Sequence, residues 1–266
     1  MLKFYDLKEK PFSLLPNPRF MYLSEAYLET KAKLLYFLKD RSVSLYLYGP
    51  VGSGKTSLLR LIAQEVDGDS ETNAKYLIAP NLRTANQLLR LMCNNFGVKT
   101  SRSYGGSLEN FEGFLIQQSR SGRFPLLLID EAQNLNREQL KLIHYLLNFV
   151  SNERVLLMIV LVGQPELAER INRFPSLKSR LVSSSVTEMT REHMEKMIRF
   201  RWTIAAGGTP QASPPFSKDA YDLIYQLTKG NPRHAVKLCH AALIQGVLAK
   251  ANTIRARLVQ RASKEL

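Results

Sequence analysis

Cysteine is scarce, with two in 266 residues, and there is one tryptophan. Two thiols cannot build the disulfide framework of a small secreted domain. Cys93 and Cys239 each sit in an apolar helical pattern and fit no metal-ligand spacing; they read as buried thiols of a reducing compartment. Long hydrophobic runs are missing as well. The longest, Val155 to Val162, is far too short to span a bilayer. The N-terminus, MLKFYDLKEK, is charged from its third residue and holds no apolar signal core. The expectation is a soluble, cytoplasmic protein with no membrane partner. Four histidines (His144, His193, His234, His240) show no metal spacing and pair with no nucleophile.

Acid is missing from two stretches. None lies between Glu71 and Glu109, where Lys75, Arg83, Arg90, Lys99 and Arg102 fall. None lies between Asp222 and Glu265, which holds Lys229, Arg233, Lys237, Lys250, Arg255, Arg257, Arg261 and Lys264. The formal net charge is +14. Such a surplus is compatible with a solvated surface, but segments that avoid acid point to a polyanionic partner, nucleic acid first.

Among the elements that are present, residues 1–23 are rich in proline and aromatics and read as an irregular arm packed on the core. Ser24 caps an amphipathic helix to about Asp40. Strands are expected at Val43 to Tyr48, Ala74 to Ile78, Phe124 to Ile129 and Val155 to Val162. Helices are expected from Lys55 to Glu65, Thr84 to Phe96, Leu108 to Gln118 and Arg137 to Val150. Strands without alternation, each followed by a helix, indicate a parallel sheet covered on both faces. After Glu188 the pattern is helical only: Arg191 to Ala205, Lys218 to Leu227 and Pro232 to Leu248, with a Gly207, Gly208, Pro210, Pro214, Pro215 loop after the first. The organisation expected is an arm (1–23), an α/β core (24–189), a small all-helical lid (190–252) and a basic C-terminal segment (253–266).

Five motifs carry chemistry. GPVGSGKT fits G-x-x-x-x-G-K-[ST] between a strand and a helix. Gly49, Pro50, Val51, Gly52, Ser53, Gly54, Lys55, Thr56 and Ser57 would wrap ATP phosphates in backbone N–H groups, with Lys55 on the β/γ-phosphates and the Thr56 hydroxyl on Mg²⁺. LLLIDEA ends a buried strand with two carboxylates, where ligands bind in such sheets. Asp130 would hold Mg²⁺ through water or Thr56, and Glu131 would orient and deprotonate the attacking water. VGQP places Gln164 at the next strand end, as a sensor of the γ-phosphate or as a simple turn. SLKSRL carries Arg180, a candidate finger for a neighbouring subunit's γ-phosphate, with Arg173 its rival. GNPR opens a lid helix with Asn231 as cap, and Arg233 would lean over the nucleotide.

Together these residues resemble the ExeA-like AAA+ ATPases: GPVGSGKT, LLLIDEA, VGQPEL, SLKSRL, GNPR and KLCHAAL follow that family's order. The opening KFYDLKEKPFSLLPNPRFMYLS is similar to its N-terminal signature. The resemblance implies an α/β AAA+ core with a helical lid, and a slow Mg²⁺-dependent ATPase completed at subunit interfaces. One branch of the family serves secretion and pilus assembly, as ExeA and MshM do, acting on protein partners. Another comprises TnsC-like transposition regulators, including those of CRISPR-associated transposons. These assemble on double-stranded DNA as homo-oligomeric rings or helical filaments and work with a transposase and a target-selector protein. The longer secretion members carry a membrane span and a wall-binding region, both expected to be absent from a chain that ends just after the lid. Where the family's finger segment commonly reads LRQR, this chain has LKSR, which makes Arg180 the better finger, with Arg173 still its rival. Residues 80–84 and 97–103 are basic where secretion relatives look more apolar or acidic. By resemblance they face a DNA channel, with Arg83, Thr84, Lys99, Thr100 and Arg102 on the phosphates. The TnsC-like branch is the expectation, the secretion-type ATPase its alternative.

Overall fold

A computed structural model describes residues 1–15, 17–79, 81–151, 154–208 and 213–266. Pro16, Pro80 and Pro210, named above in the arm, the basic segment and the loop, lie outside the described residues. The chain divides into two compact units: an α/β unit, Tyr27–Pro50 with Leu58–Val186, and a helical unit, Met1–Ala26 with Val51–Ser57 and Thr187–Leu266.

In chain order the α/β unit carries α1 (Glu25–Asp40), β1 (Ser44–Tyr48), α2 (Lys55–Asp67), β2 (Thr72–Ile78), α3 (Ala85–Phe96), α4 (Tyr104–Arg120), β3 (Phe124–Asp130) and α5 (Arg137–Leu146). There follow β4 (Val150–Ser151), β5 (Arg154–Val155), β6 (Met158–Gly163), α6 (Pro165–Asn172), α7 (Pro175–Lys178) and β7 (Leu181–Ser185). Among the described residues the main sheet has the order β2-β3-β6-β1-β7, every pair parallel. Its inner strands read as continuous apolar runs because helices cover both faces, and every residue of β3 and β6 is buried. Parallel register brings Tyr48 level with Gly163 and Ser185, and Ile78 level with Asp130, along the carboxyl edge.

Several sequence expectations are corrected. The helix expected to reach Val150 ends at Leu146, because Asn148 turns the chain by bonding the His144 carbonyl and Val150–Ser151 then pairs antiparallel with Arg154–Val155. Val155 therefore belongs to that hairpin rather than to the long strand. The helix expected from Leu108 begins at Tyr104, capped by the Ser103 hydroxyl on the Gly106 N–H. The strand β7 was not foreseen. It is an edge strand with alternating burial and three serines, so it has no apolar run to betray it.

The helical unit holds α8 (Arg191–Ala205), α9 (Lys218–Thr228), α10 (Pro232–Leu248) and α11 (Ala256–Ser263). The last falls where a basic tail was expected. It forms because Val259 and Ala262 are buried while its arginines stay exposed. The N-terminal arm packs on these helices, where the sequence placed it on the core. The Arg201 guanidinium donates to the carbonyls of Pro11 (2.9 Å), Ser13 (3.1 Å) and Phe20 (3.1 Å). Burial pulls that guanidinium down to about 10, still far above neutrality, so a charged fork holds three arm carbonyls. Cys93 and Cys239 are buried free thiols. No helix among the described residues is long and apolar enough to cross a membrane.

Candidate functional site

Residues 51–54 form a tight loop, and Lys55, Thr56 and Ser57, grouped with it in the helical unit, open α2. Gly52 (φ 79°) and Gly54 (φ 96°) occupy the left-handed region that side chains avoid. A Cβ on Gly52 would sit 2.7 Å from Asn231 Oδ1 and 2.9 Å from Arg233 Cβ, so the glycine also makes room for the start of α10. Asn231 caps α10, accepting from the N–H groups of Arg233 (3.1 Å) and His234 (3.2 Å). Its amide donates to the Val51 carbonyl at 2.7 Å, and the Arg233 N–H reaches Gly52 O at 3.3 Å. GNPR is thus tied to the glycine loop through Asn231, a residue read from sequence only as a cap. Lys55 and Ser53 are buried, with Lys55 Nζ 3.4 Å from Ser53 Oγ.

In the α/β unit, Gly49, Asp130, Glu131 and Gln164 gather at the carboxyl edge of the sheet. The Gly49 N–H donates to Gly163 O at 3.3 Å. Asp130 is buried with both oxygens engaged. Oδ1 accepts the Glu131 N–H at 2.9 Å, and Oδ2 accepts the Tyr76 hydroxyl at 2.9 Å. Burial, with the Asp130 carboxylate adding to it, pushes the Tyr76 hydroxyl up to about 12, so it keeps its proton and donates. Glu131 has left-handed backbone (φ 53°, ψ 32°), a conformation that costs a non-glycine residue roughly 1–2 kcal/mol. Its carboxylate accepts from Gln133 Nε2 at 2.6 Å, and Gln133 Oε1 accepts the Gln164 N–H at 3.0 Å. Gln164 is half-buried at the N-cap of α6, and its side chain makes no capping bond. Tyr76 and Gln133 were missed in the sequence. Gln133 stands two places after Glu131 at a strand exit, its one detectable signal.

Arg180 lies at the other end of the sheet. It precedes Leu181, which is level with Ser44 at the amino end of β1. Five strand residues, roughly 16 Å, separate it from the carboxyl edge. Its side chain is exposed and has no ion pair among the described residues, whereas Arg173 lies 3.8 Å from Glu169.

The residues assigned to DNA fall at the two ends of α3. Arg83 and Thr84 stand at the start of α3, and Lys99, Thr100 and Arg102 follow its end, roughly 18 Å away along a twelve-residue helix. Arg83, Lys99 and Arg102 are exposed. The Thr84 hydroxyl accepts the Gln87 N–H as the cap of α3, and Arg90 reaches Thr100 Oγ1 at 3.5 Å. Exposed Gln87, Arg90 and Asn94 run between the two spots on a helix without acid.

Comparison with known proteins gives a consistent family. Residues 39–171 match the model of the AAA domain. General secretion pathway protein A of Aeromonas hydrophila is 32% identical over 247 residues, 91% of this chain and 44% of that protein. Replication factor C small subunit 1 of Pyrobaculum islandicum is 24% identical over 86% of the chain and 60% of its own length. The chain thus spans about half the length of the curated relatives it matches. Among solved structures, the Aeropyrum pernix Orc1 protein in complex with DNA superposes with a TM-score of 0.70, at 21% identity over 97% of this chain and 69% of that one. The Thermotoga maritima RuvB Holliday junction branch migration motor gives 0.62, at 19% identity over 96% of this chain and 74% of that one. These two likenesses bear on the fold, an α/β P-loop architecture with a parallel sheet between helices. With its glycine loop and its carboxylate pair at the strand end, the chain belongs to the AAA domain family of P-loop ATPases.

Proposed function

We propose that the chain is a Mg²⁺-dependent ATPase whose nucleotide state switches its assembly, and that it acts on protein partners in the manner of a secretion or pilus-assembly ATPase. The observation that carries the ATPase is the carboxyl edge of the sheet, where buried Asp130 and a backbone-strained Glu131 stand beside Gln164. Hard oxygen donors, the Asp130 carboxylate and the Thr56 hydroxyl, suit Mg²⁺. A Mg²⁺ ion held by such donors would neutralise charge on the β- and γ-phosphates. The loop 51–57 presents backbone N–H groups to the phosphates and Lys55 adds its charge. Glu131 accepts the proton of the attacking water. Arg180 is turned from its own chain's carboxyl edge by the length of β7, which supports a finger acting on a neighbouring copy. The helical part, with Arg233 at the mouth of the loop, then acts as the lid.

The choice of a protein partner rests on the 32% identity with general secretion pathway protein A over 91% of this chain. It displaces the transposition-regulator expectation, whose transposase and target-selector partners rest on motif resemblance alone. Duplex DNA remains a second reading because Arg83, Arg90, Lys99 and Arg102 line an exposed, acid-free surface.

Lys55→Ala is expected to lose ATP binding, and Glu131→Gln to keep binding while losing hydrolysis. Hydrolysis at the wild-type rate by Glu131→Gln would sink the assignment of the base. Fluorescence anisotropy with duplex DNA, with and without a non-hydrolysable ATP analogue, separates the two partner readings. ATP-dependent binding that Arg83→Ala/Lys99→Ala abolishes supports DNA; no binding at low salt supports the protein partner.

A further inference from the structure

Gln133 has two ends with different obligations. A backbone N–H can only donate, so the group facing the Gln164 N–H at 3.0 Å is the amide oxygen. The amide nitrogen therefore faces the Glu131 carboxylate at 2.6 Å. The side chain is held in that orientation by the close approach of Gly163. A Cβ there would sit 2.6 Å from Gln133 Oε1 and 3.1 Å from the Gln133 backbone nitrogen. One amide thus spans from the end of β6, where the sensor candidate Gln164 stands as N-cap of α6, to the group read as the general base.

We infer that Gln133 is a positioning residue that fixes the Glu131 carboxylate and ties its placement to the end of β6. Resting on the reading of Glu131 as the base, it adds the element that aims it. Glu131 sits on left-handed backbone and is half-exposed, so its side chain has little else to hold it. The donated bond from Gln133 selects one rotamer of that carboxylate. A shift at Gly163 or Gln164, such as contact with a γ-phosphate would produce, moves the Gln133 amide and with it the carboxylate.

The test is a double-mutant cycle on the full chain, with hydrolysis rates and the binding of a fluorescent ATP analogue measured for each protein. Gln133→Leu, which keeps the size and removes both bonds, is expected to lower kcat by about 10- to 100-fold, the scale of a misplaced catalytic group, with KM and analogue affinity within about 3-fold of wild type. In the Glu131→Gln background, whose residual hydrolysis is followed at high enzyme concentration, the same substitution is expected to cost nothing further, because its target is gone. Gly163→Ala, whose Cβ would crowd Gln133 Oε1 at 2.6 Å and Leu167 Cδ2 at 3.0 Å, is expected to reproduce the kcat loss. An equal fold loss in both backgrounds, or a KM rise with kcat unchanged, would overturn the inference and make Gln133 a structural residue. Full activity of Glu131→Gln itself would instead overturn the underlying assignment of the base.

Discussion

Asn231 offers the sharpest quantitative prediction, because one side chain performs two separable tasks. Its Oδ1 caps α10 through two N–H groups, and its Nδ2 holds the Val51 carbonyl at 2.7 Å. Asn231→Ala removes both. The lost cap costs about 1 kcal/mol. The lost bond to the loop carbonyl costs about 1 kcal/mol more. Asn231→Asp keeps an acceptor at the helix N-terminus, where its charge is favourable by about 0.5 kcal/mol, but it can no longer donate to Val51. Urea unfolding should therefore rank wild type above Asp above Ala, with Ala about 2 kcal/mol below wild type at unchanged m-value. Nucleotide affinity adds an independent readout. Both variants free the loop that binding must then order, and about 1 kcal/mol of that cost weakens Kd about 5-fold. An Ala variant within 0.5 kcal/mol of wild type, or an Asp variant whose nucleotide Kd is unchanged, would refute the claim that α10 and the glycine loop are fastened through this residue.

Three further outcomes follow from the same structure. Mixing Arg180→Ala with Glu131→Gln, each inactive alone, is expected to restore part of the ATPase rate, since a mixed interface pairs an intact base with an intact finger; no recovery at any ratio would count against a finger in trans. Arg201→Met removes a charged fork and strands three arm carbonyls, which should cost about 2–4 kcal/mol and expose the first twenty residues to limited proteolysis. Gly49→Ala drives a Cβ into the Val186 carbonyl oxygen, backbone that cannot swing aside, and should lower Tm by several degrees in calorimetry even without nucleotide.

Much of the α/β unit was legible because buried parallel strands announce themselves as apolar runs, and the glycine loop needs its residues in a fixed order. What escaped notice did so for physical reasons. LVSSS is an edge strand whose outward positions face water, so composition disguises it as loop. The C-terminal helix is so rich in arginine that Val259 and Ala262 alone mark its buried side. Val150 continued an apolar helical pattern until its pairing with Val155 claimed it. At the site, the charged and glycine positions were readable one by one, but their supports were not. Tyr76 meets Asp130 across 54 residues and Gln133 meets Gln164 across 31, distances over which no local spacing rule operates. The basic residues were readable as charge, but not their spacing: α3 sets Arg83 and Lys99 at its two ends, with exposed Arg90 between them.

The polar edge strand β7 has a consequence for how copies of the chain can meet. An unguarded outer strand offers free carbonyl and N–H groups to any second sheet, and the resulting pairing is hard to undo. Here Lys33 of α1 donates to the Ser183 carbonyl at 3.0 Å, and Ser184 lies 3.4 Å from the Thr30 hydroxyl. The Ser183 carbonyl is thus occupied by α1, which hinders strand addition there, while Arg180, one residue before β7, stays exposed. A neighbour approaching there meets side chains first and finds one fewer free carbonyl for pairing backbones. Such a contact can be made and broken within each nucleotide cycle, whereas a continuous intermolecular sheet would trap the assembly as an aggregate.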